Sequence, residues 1–126
     1  MPDFCRILFV ALAAVTFFGS VVQAQELQQG TYRGDTEYNT TVVVNIQGKR
    51  AWASIIANGC LGDVEGKLAR NDAGQLYLVD DLYNETQCAI AIIPDTTTSF
   101  QTEQGPECSY HHGAACDFNA YVRLQQ

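Results

Sequence analysis

The sequence predicts an all-β fold: a small eight-stranded antiparallel up-and-down meander that closes into a barrel and carries two disulfides. Three observations point there. Short runs rich in Val, Ile, Thr and Tyr recur about every twelve residues, separated by Gly, Asn, Asp and Pro. No segment sustains a helical period. Four cysteines, an even number, follow a leader-like N-terminus. A Greek-key sandwich is the alternative arrangement of the same strands.

Residues 1–24 read as a signal peptide. Arg6 precedes an apolar run from Ile7 to Val22, and Val22-Gln23-Ala24 closes it with a small residue, so cleavage is expected after Ala24. As a membrane anchor the run is short, and no basic flank follows it. Cys5 lies ahead of the run, away from any cleavage point where lipidation would occur. Residues 25–126 then form a single all-β domain of 102 residues, enough for one core. Its expected location is periplasmic or extracellular, where thiols oxidise to disulfides.

Taken in order, Gly30-Thr31-Tyr32-Arg33-Gly34 opens the first strand. Thr41 to Gln47 places Val42, Val44 and Ile46 on one face. Gly48-Lys49 turns this run into Ala51 to Ala57, which makes a hairpin. Cys60 to Leu68 alternates Val64, Gly66 and Leu68 with Asp63, Glu65 and Lys67. Its glycines at 59, 62 and 66 suit a strand that bends sharply at a barrel corner. Gln75 to Val79 follows, then a longer acidic loop from Asp80 to Gln87. Cys88 to Ile93 is a strand ending at Pro94-Asp95, and Thr97 to Glu103 alternates around Phe100. The stretch Cys108-Ser109-Tyr110-His111-His112-Gly113-Ala114-Ala115-Cys116 is a pinned loop. It leads into Asp117 to Leu124, with Phe118, Ala120, Val122 and Leu124 inward.

In a meander, Cys60 and Cys88 start alternate strands at the same end of the barrel. Cys108 and Cys116 are close in sequence, with a glycine between them. The expected pairing is therefore Cys60 with Cys88 and Cys108 with Cys116.

The formal net charge is −7, and loss of the leader removes one charge of each sign. Arg33, Lys49, Arg50, Lys67, Arg70 and Arg123 are scattered, with no basic stripe. That argues against nucleic acid and anionic membrane surfaces as partners and in favour of a cationic protein partner. A monomer is expected. Cys108, His111, His112 and Cys116 have metal-ligand types and spacing. In an oxidising compartment the cysteines pair instead, so no metal or cofactor is expected and the histidines read as solvated polar residues. Ser54, Ser99 and Ser109 stand in no nucleophile context, and Asp80, Asp81 and Glu85 form no recognisable catalytic pair, so an enzyme is not expected. The same acidic stretch lacks EF-hand spacing for calcium. Asn39-Thr40-Thr41 and Asn84-Glu85-Thr86 match the glycosylation tripeptide. Trp52 shares a face with Ser54 and Ile56 and is expected as a core or barrel-end aromatic. The partner-binding candidates are Asp80, Asp81, Tyr83 and Glu85, together with Tyr110, His111 and His112, because binding residues concentrate in long polar loops.

The export signal, the acidic chain, the Gly30-to-Gly34 opening of the form Gly-x-Tyr-x-Gly and the cysteine-pinned end resemble small exported bacterial β-barrel proteins of the lysozyme-inhibitor and protease-inhibitor type. The resemblance implies a non-catalytic protein that occludes an enzyme. No inhibitory loop motif maps residue by residue, so no functional residue is carried over. Two other readings stand beside it. One is a small-ligand binder using the barrel interior, against which the bulky Val42, Val44, Ile46, Ile90, Ile92 and Phe118 argue. The other is a structural envelope protein.

Overall fold

The computed structural model describes residues 26–36, 39–57, 59–81, 87–112 and 116–126. The expected leader, Tyr83, Glu85, the tripeptide at Asn84 and Gly113 lie outside the described residues. The strands are β1 (Gly30–Asp35), β2 (Thr41–Gln47), β3 (Arg50–Ala57), β4 (Cys60–Arg70), β5 (Leu76–Asp80), β6 (Ala89–Thr96), β7 (Ser99–Gln104) and β8 (Ala120–Leu124). A short 3-10 helix, Pro106–His111, lies between β7 and β8. Every strand pairs antiparallel with the next, and β8 returns to β1, closing the barrel in simple chain order. The meander therefore holds, and the Greek-key alternative does not.

The largest differences from the expected strand limits are in β6 and β8. β6 continues past Pro94, with an irregular register between Pro94 and Thr96. A proline can stay in a strand at such a bulge, where its missing N–H interrupts no regular ladder. β8 starts only at Ala120 because the chain just before it bonds elsewhere. The Asn119 N–H donates to Asp117 Oδ1 at 3.0 Å, and the Phe118 N–H donates to Gln104 Oε1 at 2.9 Å.

The interior is filled unevenly around the ring. Its largest fully buried side chains, Tyr32, Phe100 and Phe118, come from β1, β7 and the entry to β8. The Tyr32 and Phe100 rings meet at a tilt of 51°, with centroids 4.7 Å apart. In an eight-membered ring β7 faces β3 and β8 faces β4, and those opposite walls contribute small or aliphatic residues, Ala51, Ala53 and Ile55 from β3 and Gly62, Val64 and Gly66 from β4. Close packing has no room there for a second set of aromatics. Trp52, expected in the core, is consequently on the outer face of β3 with 38% of its surface exposed.

β4 and β5 are mismatched in length, and this shapes one end of the barrel. β4 has 11 residues and β5 has 5. β5 covers β4 only from Gly66 to Arg70, so Cys60 to Glu65 have no strand on that side. Gly66 sits where the two strands press together, and any Cβ there would strike the Val79 carbonyl. Beyond it, the end of the 3-10 helix occupies the gap. A Cβ on Gly62 would come within 2.6 Å of the His111 carbonyl oxygen and 2.8 Å of His112 Cβ. Glycine at 62 is thus what lets the segment lie against the strand.

The cysteine pairing follows from this arrangement and corrects the expectation. The disulfides are Cys60–Cys116 and Cys88–Cys108, with Cα atoms 6.3 and 4.5 Å apart. Cys60 and Cys88 do open β4 and β6 at the same end, as the meander requires, but β5 stands between them. The segment from Gln104 to Ala120 begins beside β6, where the Gly105 N–H donates to the Ala89 carbonyl at 2.9 Å. It then reaches β4 before entering β8. Cys108 meets β6 on the way out and Cys116 meets β4 further along, so all four cysteines fasten one segment over the mouth.

Candidate functional site

Strand parity and the register of β3 against β4 build one outer surface. Ile56 stands opposite Leu61, Ser54 opposite Asp63, Trp52 opposite Glu65 and Arg50 opposite Lys67. The inward partners, Ala51, Ala53, Ile55 and Val64, are buried. Ile56 and Leu61 are 54% and 77% exposed, the latter the more unusual for a leucine in a strand. Together with Trp52 they make a strip of exposed apolar side chains up the wall toward the β3–β4 turn, interrupted between Trp52 and the Ile56–Leu61 pair by the polar Ser54–Asp63 pair. Exposed apolar surface rimmed by polar groups is a feature of interaction sites.

Acidic groups border the strip. The Ser54 hydroxyl donates to Asp63 Oδ1 at 2.7 Å. An open cleft of about 440 Å³ is lined by Trp52, Asp63, Val64 and Glu65. Arg50 sits at its lower edge, with Nη2 3.8 Å from Glu65 Oε1, but its fork closes on Asp81 at 2.8 and 3.1 Å. The hydrogen bond from Arg50 holds the Asp81 carboxyl below its ordinary value, and Asp81 in turn raises the guanidinium. A depressed carboxylate adds stability above its unfolded pKa and loses it as pH falls through the folded one. Asp81→Asn is therefore expected to lower the melting temperature at neutral and basic pH and to converge on wild type at acid pH, where the pair is already lost. The effect should shrink in high salt, because the pair is exposed.

The loop residues singled out from sequence separate into different roles. Asp80 is not a loop residue. It ends β5, points inward and is 2% exposed, with its N–H donating to the Cys88 carbonyl at 2.9 Å. His111 Nε2 lies 3.1 Å from Asp80 Oδ2, with side chains 9% and 1% exposed. His112 Nε2 is 3.0 Å from Gln104 Oε1, and its ring meets Phe118 edge-on at 5.5 Å. The histidines are therefore fasteners of the mouth segment, and the solvated role expected for them does not hold. Of the described candidates only Tyr110, 76% exposed on the 3-10 helix, and Asp81 face solvent freely enough to touch a partner.

The metal-like spacing of Cys108, His111, His112 and Cys116 comes apart in space. Each cysteine goes to a different strand, and the histidines engage Asp80 and Gln104. Among the described residues no group of three or more metal donors gathers, and no helix is long and apolar enough to cross a membrane. At the opposite end of the barrel a cleft of about 280 Å³ has Ile46, Leu68 and Leu76 at its floor and Lys49 and Arg70 at its rim.

Sequence reasoning missed Ile56, Leu61, Asp63 and Glu65 as site residues and put Trp52 inside. Parity splits β3 into a face with Ala51, Ala53 and Ile55 and a face with Trp52, Ser54 and Ile56 without saying which is inside. Ala51 and Ala53 are too small to fill a barrel wall that would otherwise hold Trp52, yet they share their face with Ile55. Compared with known proteins, the chain matches no family model, no curated protein and no solved structure.

Proposed function

We propose that this is an exported, non-catalytic binding protein that holds a cationic protein, such as a basic secreted enzyme of the lysozyme or protease kind, against the outer face of β3 and β4. One observation carries the reading: Trp52, Ile56 and Leu61 are exposed together, in register with the carboxylates of Asp63 and Glu65. An exposed tryptophan among charged neighbours, with apolar Ile56 and Leu61 further along the face, has the residue types that interface hot spots favour. Two further features support it. The barrel interior is occupied by its own aromatics, which leaves the outer wall as the surface for recognition. Two disulfides brace the fold, so little ordering is required on binding, and disulfides of this kind belong to oxidising compartments.

The test is calorimetric titration with basic secreted enzymes, lysozyme first, across a series of salt concentrations. Affinity is expected to fall with salt mainly through slower association. Trp52→Ala is expected to weaken binding by about 2 kcal/mol, roughly thirtyfold. Tyr110→Ala should leave it within about twofold, since that residue is on the 3-10 helix and not on the outer face of β3 and β4. Equal affinities for wild type and Trp52→Ala would contradict the assignment of the face.

A further inference from the structure

We infer that the cleft between Trp52, Asp63 and Glu65 is the seat of one arginine side chain of the cationic partner. The inference rests on the reading of the β3–β4 face just given and names the group that the face recognises. Glu65 is directly across the ladder from Trp52, and Asp63 is its diagonal neighbour. Direct and diagonal cross-strand side chains stand about 5 and 7–8 Å apart at Cβ. A cation lying on the exposed indole is therefore within reach of both carboxylates. Arginine suits this geometry better than lysine. Its guanidinium is planar, stacks on an aromatic face, presents a fork to a carboxylate and gives up water more readily than an ammonium.

The protein's own Arg50 already brings a guanidinium to this corner. Its contact with Glu65 is long, 3.8 Å, because Asp81 takes the fork at 2.8 and 3.1 Å. Glu65 is left with 53% of its side chain exposed. Asp63 is steadied by Ser54 through one oxygen. Lys67 stands beyond Glu65, opposite Arg50, so a positive group is repelled from the lower side of the cleft. Entry is therefore from the upper side, where Ile56 and Leu61 can take apolar neighbours of the arginine.

Trp52 is the only tryptophan of the chain, so intrinsic fluorescence reports this site alone. The probes are a capped Leu-Gly-Arg-Gly-Leu peptide and its citrulline isostere, which keeps the shape and removes the charge. Titrated into the exported protein, the arginine peptide is expected to give a saturable change in Trp52 emission. The citrulline peptide should bind at least about threefold more weakly, and Glu65→Gln should weaken the arginine peptide by a similar factor. No saturable response, equal responses to the two peptides, or an arginine response unchanged in the Asp63→Asn/Glu65→Gln double variant would each overturn the inference. Both substituted carboxylates are on the outer wall, and a near-ultraviolet spectrum checks that the fold is intact. Failure here is separable from failure of the broader reading. If a basic enzyme binds wild type and double variant equally but loses Trp52→Ala, the arginine seat is wrong and the binding face stands. If the arginine peptide binds as expected but no basic protein does, the seat stands and the proposed function is wrong.

Discussion

Replacing Cys60 and Cys116 together by serine is expected to lower the unfolding free energy by about 4 kcal/mol. The bridge spans 56 residues, and loop-closure entropy assigns a constraint of that length about 4 kcal/mol, against about 3 for a span of 20. The second bridge, Cys88–Cys108, has that shorter span of 20 residues. The Cys60–Cys116 bridge also has the harder task. It ties the end of the mouth segment to the part of β4 that β5 leaves uncovered, whereas Cys88–Cys108 reinforces a neighbourhood already joined by the hydrogen bond from Gly105 to Ala89. A domain of this size has a net stability of about 5–15 kcal/mol, so each double variant loses a sizeable share of it, the first about 1 kcal/mol more than the second. Denaturant titration of both variants measures the difference. A larger loss from Cys88→Ser/Cys108→Ser would contradict the account of the mouth. Peptide mapping without reduction should recover Cys60 linked to Cys116.

Phe118→Ala is expected to cost about 3–5 kcal/mol, the range for deleting a fully buried aromatic. Phe118 is 0% exposed and stands at the junction of the mouth segment with β8. Its N–H donates to Gln104 Oε1, and its carbonyl accepts from Thr102 Oγ1 at 2.5 Å. The same Thr102 oxygen receives the Ala120 N–H at 2.9 Å. Loss of the ring opens a cavity beside His112, whose ring meets Phe118 edge-on at 5.5 Å. Tyr110→Ala, two residues from the sealing His112 but 76% exposed, is the contrast and should change stability by less than about 0.5 kcal/mol. Similar midpoints for the two variants would show that the mouth is not packed as described.

The strand order was legible in the sequence because in a meander neighbours in the chain are neighbours in space. Val42, Val44, Ile46, Ile90 and Ile92 recur at every second position and face inward as that period requires. Gly62 and Gly66 were legible as a place of close approach, although not what approaches them. The cysteine pairing was not legible, because all four cysteines lie at one end and a rule based on which end they occupy cannot rank the combinations. Deciding between them needs the length of β5. That strand stops at Asp80 because Asp80 turns inward to His111, a contact with no local signature across 31 positions of sequence. Trp52 was misplaced for a related reason. Alternation divides β3 into two faces but does not say which is inside. Here the answer is set by Phe100 and Phe118 on the far wall. The outer strip was therefore invisible until the ring was closed.

The central claim is that recognition takes place on the wall of the barrel and not at its fastened mouth. Amide hydrogen exchange on the protein, alone and saturated with a basic enzyme that it binds, tests this most directly. The expected footprint is slowed exchange in residues 50–57 and 60–67, with residues 105–112 unchanged, because only the wall carries the Trp52, Ile56 and Leu61 strip. Slowed exchange confined to residues 105–112, with β3 and β4 unaffected, would contradict it.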